Sequence, residues 1–167
     1  MRTLTLRGYL AVAVLGLLIA IGVMAAGSAK AQETVVHHAV GTFEVAMVPA
    51  DEEVVEAGLG LSRYGLIKRF KGGITGVSSG QMLTGGPPGD TTGTYIALER
   101  VVGTLDGKEG GFLLAHRGDM SLEGYTLSIT VVPNSGTGAL AGISGDFALT
   151  LEGGEHRYDL SYSLPNP

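Results

Sequence analysis

Glu99 and His116 are the two residues whose types and spacing best suit chemistry. A hairpin turning at Asp106-Gly107 through a two- or four-residue loop pairs odd positions before the turn with even positions after it. Tyr95, Ala97, Glu99 and Val101 then share a face with Phe112, Leu114 and His116. Glu99 and His116 stand directly opposite or diagonally adjacent, within reach across the ladder. A carboxylate that orients an imidazole is the arrangement used for proton transfer to a bound ligand. The pair reads equally well as a buried polar couple that satisfies itself, because polar groups inside a protein must be paired. Lys68 is a second partner for Glu99 or, left alone, must reach a mouth, since one buried charge without its opposite is costly.

The elements that hold these residues read as strands. From Gly145 to Leu164, Phe147, Leu149, Leu151, Tyr158, Leu160 and Tyr162 fall on one face, and Asp146, Thr150, Glu152, Arg157, Asp159 and Ser161 on the other, around Gly153-Gly154. Such alternation marks an antiparallel hairpin with one buried face. Eight strands follow, over 35–48, 59–71, 74–84, 93–105, 110–118, 121–132, 145–152 and 155–164. Between them 51–57 is an acidic connection and 85–90 a Gly/Pro loop. Frequent glycines at intervals of about ten residues punctuate a barrel or a sandwich. The sole helical candidate is a turn or two near 138–143, and no internal repeat is present.

A turn at Gly72-Gly73 puts Tyr64, Leu66, Lys68 and Phe70 inside, with Val77, Ser79, Gln81 and Leu83 as their partners, and sends Ser78 outward. In 121–132 the inward set is Tyr125, Leu127, Ile129 and Val131. All five tyrosines beyond residue 31, namely Tyr64, Tyr95, Tyr125, Tyr158 and Tyr162, therefore face inward. Their rings either fill the core with hydroxyls at a rim or line a pocket of apolar body and few polar points, with His156 near a mouth beside them.

Residues 1–31 read as a signal peptide. Arg2 and Arg7 form a basic start, 10–26 is an uncharged apolar run, and Ala29-Lys30-Ala31 offers the small residues that signal peptidase accepts. Cleavage after Ala31 makes 32–167 one secreted or periplasmic domain with no stable membrane insertion. Left uncleaved, the segment is a membrane anchor, although a rather short one. Removing Arg2, Arg7 and Lys30 from the 11 basic residues leaves 8 against 16 acidic ones, a formal charge of −8. That balance argues against nucleic acid and against anionic lipid surfaces as partners. With no cysteine, the fold rests on its core rather than on disulfides, and thiolate metal sites are excluded.

Other motifs carry less. Gly76-Val77-Ser78-Ser79-Gly80 matches the G-x-S-x-G pattern, but a nucleophile elbow needs a strand entering a helix, and here a strand continues. His37 and His38 are adjacent and point to opposite faces. Asp51, Glu52, Glu53 and Glu56 lack calcium-loop spacing and read as a solvated acidic edge. No metal site, dinucleotide fingerprint or Walker motif is found, so no cofactor is expected.

Several segments are familiar in combination: 94–107 (TYIALERVVGTLDG), 111–118 (GFLLAHRG), 41–45 (GTFEV), 136–145 (GTGALAGISG) and 158–162 (YDLSY). Together they resemble an uncharacterised bacterial domain-of-unknown-function family of small β-barrels, similar in fold to plant allene oxide cyclases, over about 40–164. The resemblance implies an all-β, single eight-stranded antiparallel barrel with a central cavity, often homo-oligomeric, and brings no activity.

Two functions follow, with a blander third. The first is an exported barrel binding a small, mostly apolar ligand among Tyr64, Tyr95, Phe112, Tyr125, Tyr158 and Tyr162, with Glu99 and His116 as polar anchors and Lys68, Gln81 and His156 nearby. The alternative is an isomerase or cyclase that uses Glu99 and His116 in the same cavity. The third is a structural barrel with a filled core.

Overall fold

The computed structural model describes residues 34–50, 60–87 and 91–166. The expected leader at 1–31, the acidic connection at 51–57 and part of the loop at 85–90 lie outside the described residues.

The strands are β1 (His37–Pro49), β2 (Leu61–Gly72), β3 (Ile74–Gly85), β4 (Gly93–Leu105), β5 (Lys108–Ser121), β6 (Gly124–Val131), β7 (Thr137–Gly138), β8 (Ser144–Glu152) and β9 (Glu155–Ser163). Eight of them follow one another in space as β4-β3-β2-β1-β9-β8-β6-β5, and the β4–β5 pairing closes the circle. The result is a closed antiparallel barrel, with β7 added as a two-residue strand on β5. Closure leaves most strands without a free edge. The segment 138–143 forms no helix: its N–H groups bond three residues back, Leu140 to Thr137 and Ile143 to Leu140, each at 3.1 Å. The turn drops Leu140 and Ile143 into the core.

Asp106 and Gly107 both take positive φ, 47° and 78°, as a two-residue hairpin turn of matching twist requires. The resulting register puts Ala97 opposite His116 and Glu99 opposite Leu114, so Glu99 and His116 are diagonal neighbours on the inner face.

The β2–β3 hairpin departs from expectation. Phe70 pairs with Gly76, Lys68 with Ser78 and Tyr64 with Met82, so even positions face even positions. The physical reason lies at the tip. β2 runs on through Gly72, which pairs with Gly41, and Gly73 alone turns the chain, its N–H bonded to the Val40 carbonyl. One residue of difference inverts every side chain of β3. Ser78 and Met82 therefore point in and are buried, whereas Val77, Ser79, Gln81 and Leu83 point out and are exposed.

The interior has three layers. The end carrying the β2–β3 and β4–β5 turns is filled by a large cluster that includes Phe43, Phe70, Leu105, Phe112, Leu114, Phe147, Tyr158, Leu160 and Tyr162. Toward the opposite end of the strands lies a smaller cluster of Leu66, Met82 and Ala97, with Tyr64 and Tyr95 packed against it. Between the two sit four buried polar side chains, Lys68, Ser78, Glu99 and His116.

Candidate functional site

Four adjacent strands, β2 to β5, each contribute one member of the polar layer. Lys68 and Ser78 are direct cross-strand partners, and Glu99 lies one step further along β4, opposite Gly80. A Cβ at position 80 would stand 2.9 Å from the Glu99 Cα, so glycine there leaves the room in which the carboxylate lies. His116 follows on β5, beside the small Ala97.

Glu99 is the hub, and none of its surface reaches solvent. Lys68 Nζ donates to its Oε2 at 2.7 Å, and the Ser78 hydroxyl donates to its Oε1. His116 Nε2 lies 3.0 Å from Oε2, with its side chain 4% exposed. That nitrogen nonetheless makes no hydrogen bond with any described residue, because the carboxylate oxygen stands off the line of a ring N–H. The Lys68 ammonium also sits 4.7 Å from the centroid of the Phe43 ring.

Burial pushes the Glu99 carboxyl up, but His116, the Lys68 charge and the hydroxyl of Ser78 together outweigh it and hold the group down at about 2. Glu99 is thus a carboxylate at any physiological pH, and a poor base. A nitrogen lone pair 3.0 Å from a carboxylate oxygen would be repelled, so Nε2 of His116 carries hydrogen. In the neutral ring Nδ1 is then the acceptor nitrogen.

The other expected residues divide. Tyr64 and Tyr95 pack against the smaller cluster, where the hydroxyls of Tyr95 and Tyr125 share a hydrogen bond at 3.1 Å. Burial and the Tyr125 contact both push the Tyr95 hydroxyl up. Tyr125 has the inward orientation but stays 53% exposed, because it stands at the very start of β6 on the rim. Phe112 belongs to the filled end. So do Tyr158 and Tyr162, whose hydroxyls are engaged there. Ile74 N–H donates to Tyr158 Oη at 2.7 Å, and Tyr162 donates to Asp106 Oδ2 at 2.8 Å. Burial and Asp106 raise the Tyr162 hydroxyl to about 12. His156 stacks on Phe43 with ring centroids 5.0 Å apart, beside a hollow of about 470 Å³ between β1 and the β8–β9 turn. Gln81 is on the outer wall and takes no part in the interior.

Sequence reasoning missed Ser78 as a partner of Glu99. It also passed over Met47, Met82 and Met120, which lie toward the same end as Tyr64 and Tyr95, Met82 buried and the other two exposed. Their signal was available, for they are the only methionines after residue 31.

Residues 39–162 match the family described as Protein of unknown function (DUF3224). Among solved structures the chain is similar to a protein with unknown function from the DUF3224 family of Shewanella oneidensis MR-1. The two are 35% identical with a TM-score of 0.70, the match covering 80% of this chain and 100% of that one. No curated protein matches the chain.

Proposed function

Because the chain belongs to the DUF3224 family, whose barrel comes with no assigned activity, we propose its function from the interior itself: it binds a small, mostly apolar ligand at the end lined by Tyr64 and Tyr95. The wall of Leu66, Met82, Ala97, Tyr64 and Tyr95 receives the ligand's body, and the layer below receives its polar end. The observation that carries this reading is the enclosed set Lys68–Glu99–Ser78–His116. As a stabilising device it is a poor choice, since an apolar core of equal volume is as stable or more so. Within it the buried Nε2 of His116 stands 3.0 Å from Glu99 Oε2 in a geometry that falls short of a hydrogen bond. Apolar walls with a few convergent polar groups are what small-molecule sites are made of, and methionine lets such a wall adapt. We place the protein outside the cytoplasm on the strength of the leader read in residues 1–31.

A second reading, an isomerase or cyclase, draws on the Nδ1 of His116. In that case the imidazole moves the proton and Glu99 positions it. The chain has no tryptophan, so its emission comes from tyrosines, among them Tyr64, Tyr95 and Tyr125 beside the proposed site. Titration with a series of alkanols and matched alkanes should change that emission saturably, and His116→Leu should weaken the alkanols while sparing the hydrocarbons. A linear, unsaturable response to every compound would refute the binding reading. If a turnover is found, its survival in Glu99→Gln with loss in His116→Gln assigns the proton to the imidazole.

A further inference from the structure

The outer wall over β2 to β4 is apolar where a solvated surface should be polar. Ile67, Val77, Leu83, Ile96, Leu98 and Val102 are each between 43% and 58% exposed. They are neighbours by register: Leu83 pairs with Ile96, Val77 with Val102, and Gln81 with Leu98. A hollow of about 360 Å³ opens here, lined by Gln81, Leu83, Ile96, Ala97, Leu98, Ala115 and His116. Arg63 stands next to Leu83, Arg69 next to Val77, and Arg100 across β3 from Ile67. None of these three arginines has an ion-pair partner among the described residues. Arg69 also stands opposite Glu44 on β1, which pairs with Lys71. Single exposed apolar residues are ordinary, but a contiguous patch rimmed by charge marks an interaction surface.

The wall made by β8 and β9 has the opposite character. Asp146, Glu152, Glu155 and Asp159 outnumber Arg157 there. Asp159 lies in one row with Ala148 on β8 and Val40 on β1, and Val40 is 59% exposed. Glu152 and Glu155 both pair with Arg157, and Asp159 pairs with His38, which leaves the wall acidic on balance. An apolar spot beside an acid thus lies on the same molecule as an apolar patch rimmed by arginines.

We propose that the arginine-rimmed wall over β2–β4 docks the acidic β8–β9 wall of a second copy of this chain. Charge complementarity fixes the pairing of unlike faces, because two arginine-rimmed walls, or two acidic ones, would repel. A contact between unlike faces repeats head to tail and closes into a ring or runs on. The chain's formal net charge of −5 disfavours an anionic bilayer as the occupant, and the second copy supplies the required acidic surface.

The test is a mixing experiment read by native mass spectrometry and sedimentation. One variant, Leu98→Asp, spoils the apolar wall; the other, Asp146→Lys with Asp159→Lys, spoils the acidic wall. All three positions are on the outer wall, and circular dichroism together with the milder Leu98→Asn checks that the fold is kept. At micromolar concentration the wild type should assemble and each variant alone should be a monomer. A one-to-one mixture of the two variants should double in mass, since one intact face of each kind remains. A monomeric wild type would overturn the proposal. So would assembly of the acidic-wall variant by itself, which would mean like faces meet. A monomer that pellets with phosphatidylglycerol vesicles would assign the wall to a membrane and overturn it equally.

Discussion

Acid should expose the worth of the Glu99 hub. Its carboxyl is held at about 2 in the folded protein against an ordinary value of 4.5. That gap corresponds to about 3 kcal/mol of stability at neutral pH, at about 1.4 kcal/mol per unit. The sign follows from the direction. In the unfolded chain the group takes up its proton first as pH falls, so the contribution is complete above about pH 5 and is lost progressively toward about pH 2. Glu99→Gln removes both the charge and the titration and leaves Lys68 buried without its partner. At neutral pH the variant should be less stable by about 3–5 kcal/mol, a fall in Tm of roughly 10 °C or more. Below about pH 4.5 its stability should decline less steeply than that of the wild type, by up to about 1.4 kcal/mol per pH unit. Urea unfolding of both proteins between neutral pH and the acid limit measures the two slopes. Equal slopes would refute the account of Glu99 as a depressed, charge-held carboxylate.

Lys68→Met alone should cost about 3–5 kcal/mol, because it strands Glu99, whereas Lys68→Met with Glu99→Leu should recover most of the loss, as urea midpoints will report. Tyr158→Phe takes the acceptor from the Ile74 N–H at the filled end and should cost about 1–3 kcal/mol in the same assay without changing ligand response at the end lined by Tyr64 and Tyr95. Gly80→Ala should lower Tm through a loss of about 1–3 kcal/mol, because its Cβ would press on the Glu99 backbone from 2.9 Å.

Strands and their turns were legible because a barrel strand must alternate, and Gly153-Gly154 and Asp106-Gly107 are turn residues of a definite kind. The β4–β5 register followed from that turn, and with it the nearness of Glu99 and His116. β3 was not legible. Ile74 and Met82 mark one face of it and Val77 and Leu83 the other, so composition does not choose between them. The choice is made at Gly73, whose N–H is claimed by Val40 from a distant strand, a contact with no local signature. Ser78 was misplaced for that reason, and Gln81 was brought inside in its stead. The division of the tyrosines was hidden similarly. Facing inward is a local property, but which of the two clusters a residue joins depends on where Leu140 and Ile143 fold back. Tyr158 and Tyr162 belong to the large cluster with them, while Tyr64 and Tyr95 pack against the smaller one.

The central claim is that the end lined by Tyr64 and Tyr95 and its polar layer exist to hold a small molecule. Native mass spectrometry of the protein purified gently from its own source tests it most directly. The spectrum should show the chain with a small added mass that collisional activation strips off, and that is reduced or lost in His116→Leu prepared identically. A wild-type spectrum with the bare chain alone, unchanged by that substitution, would contradict the claim.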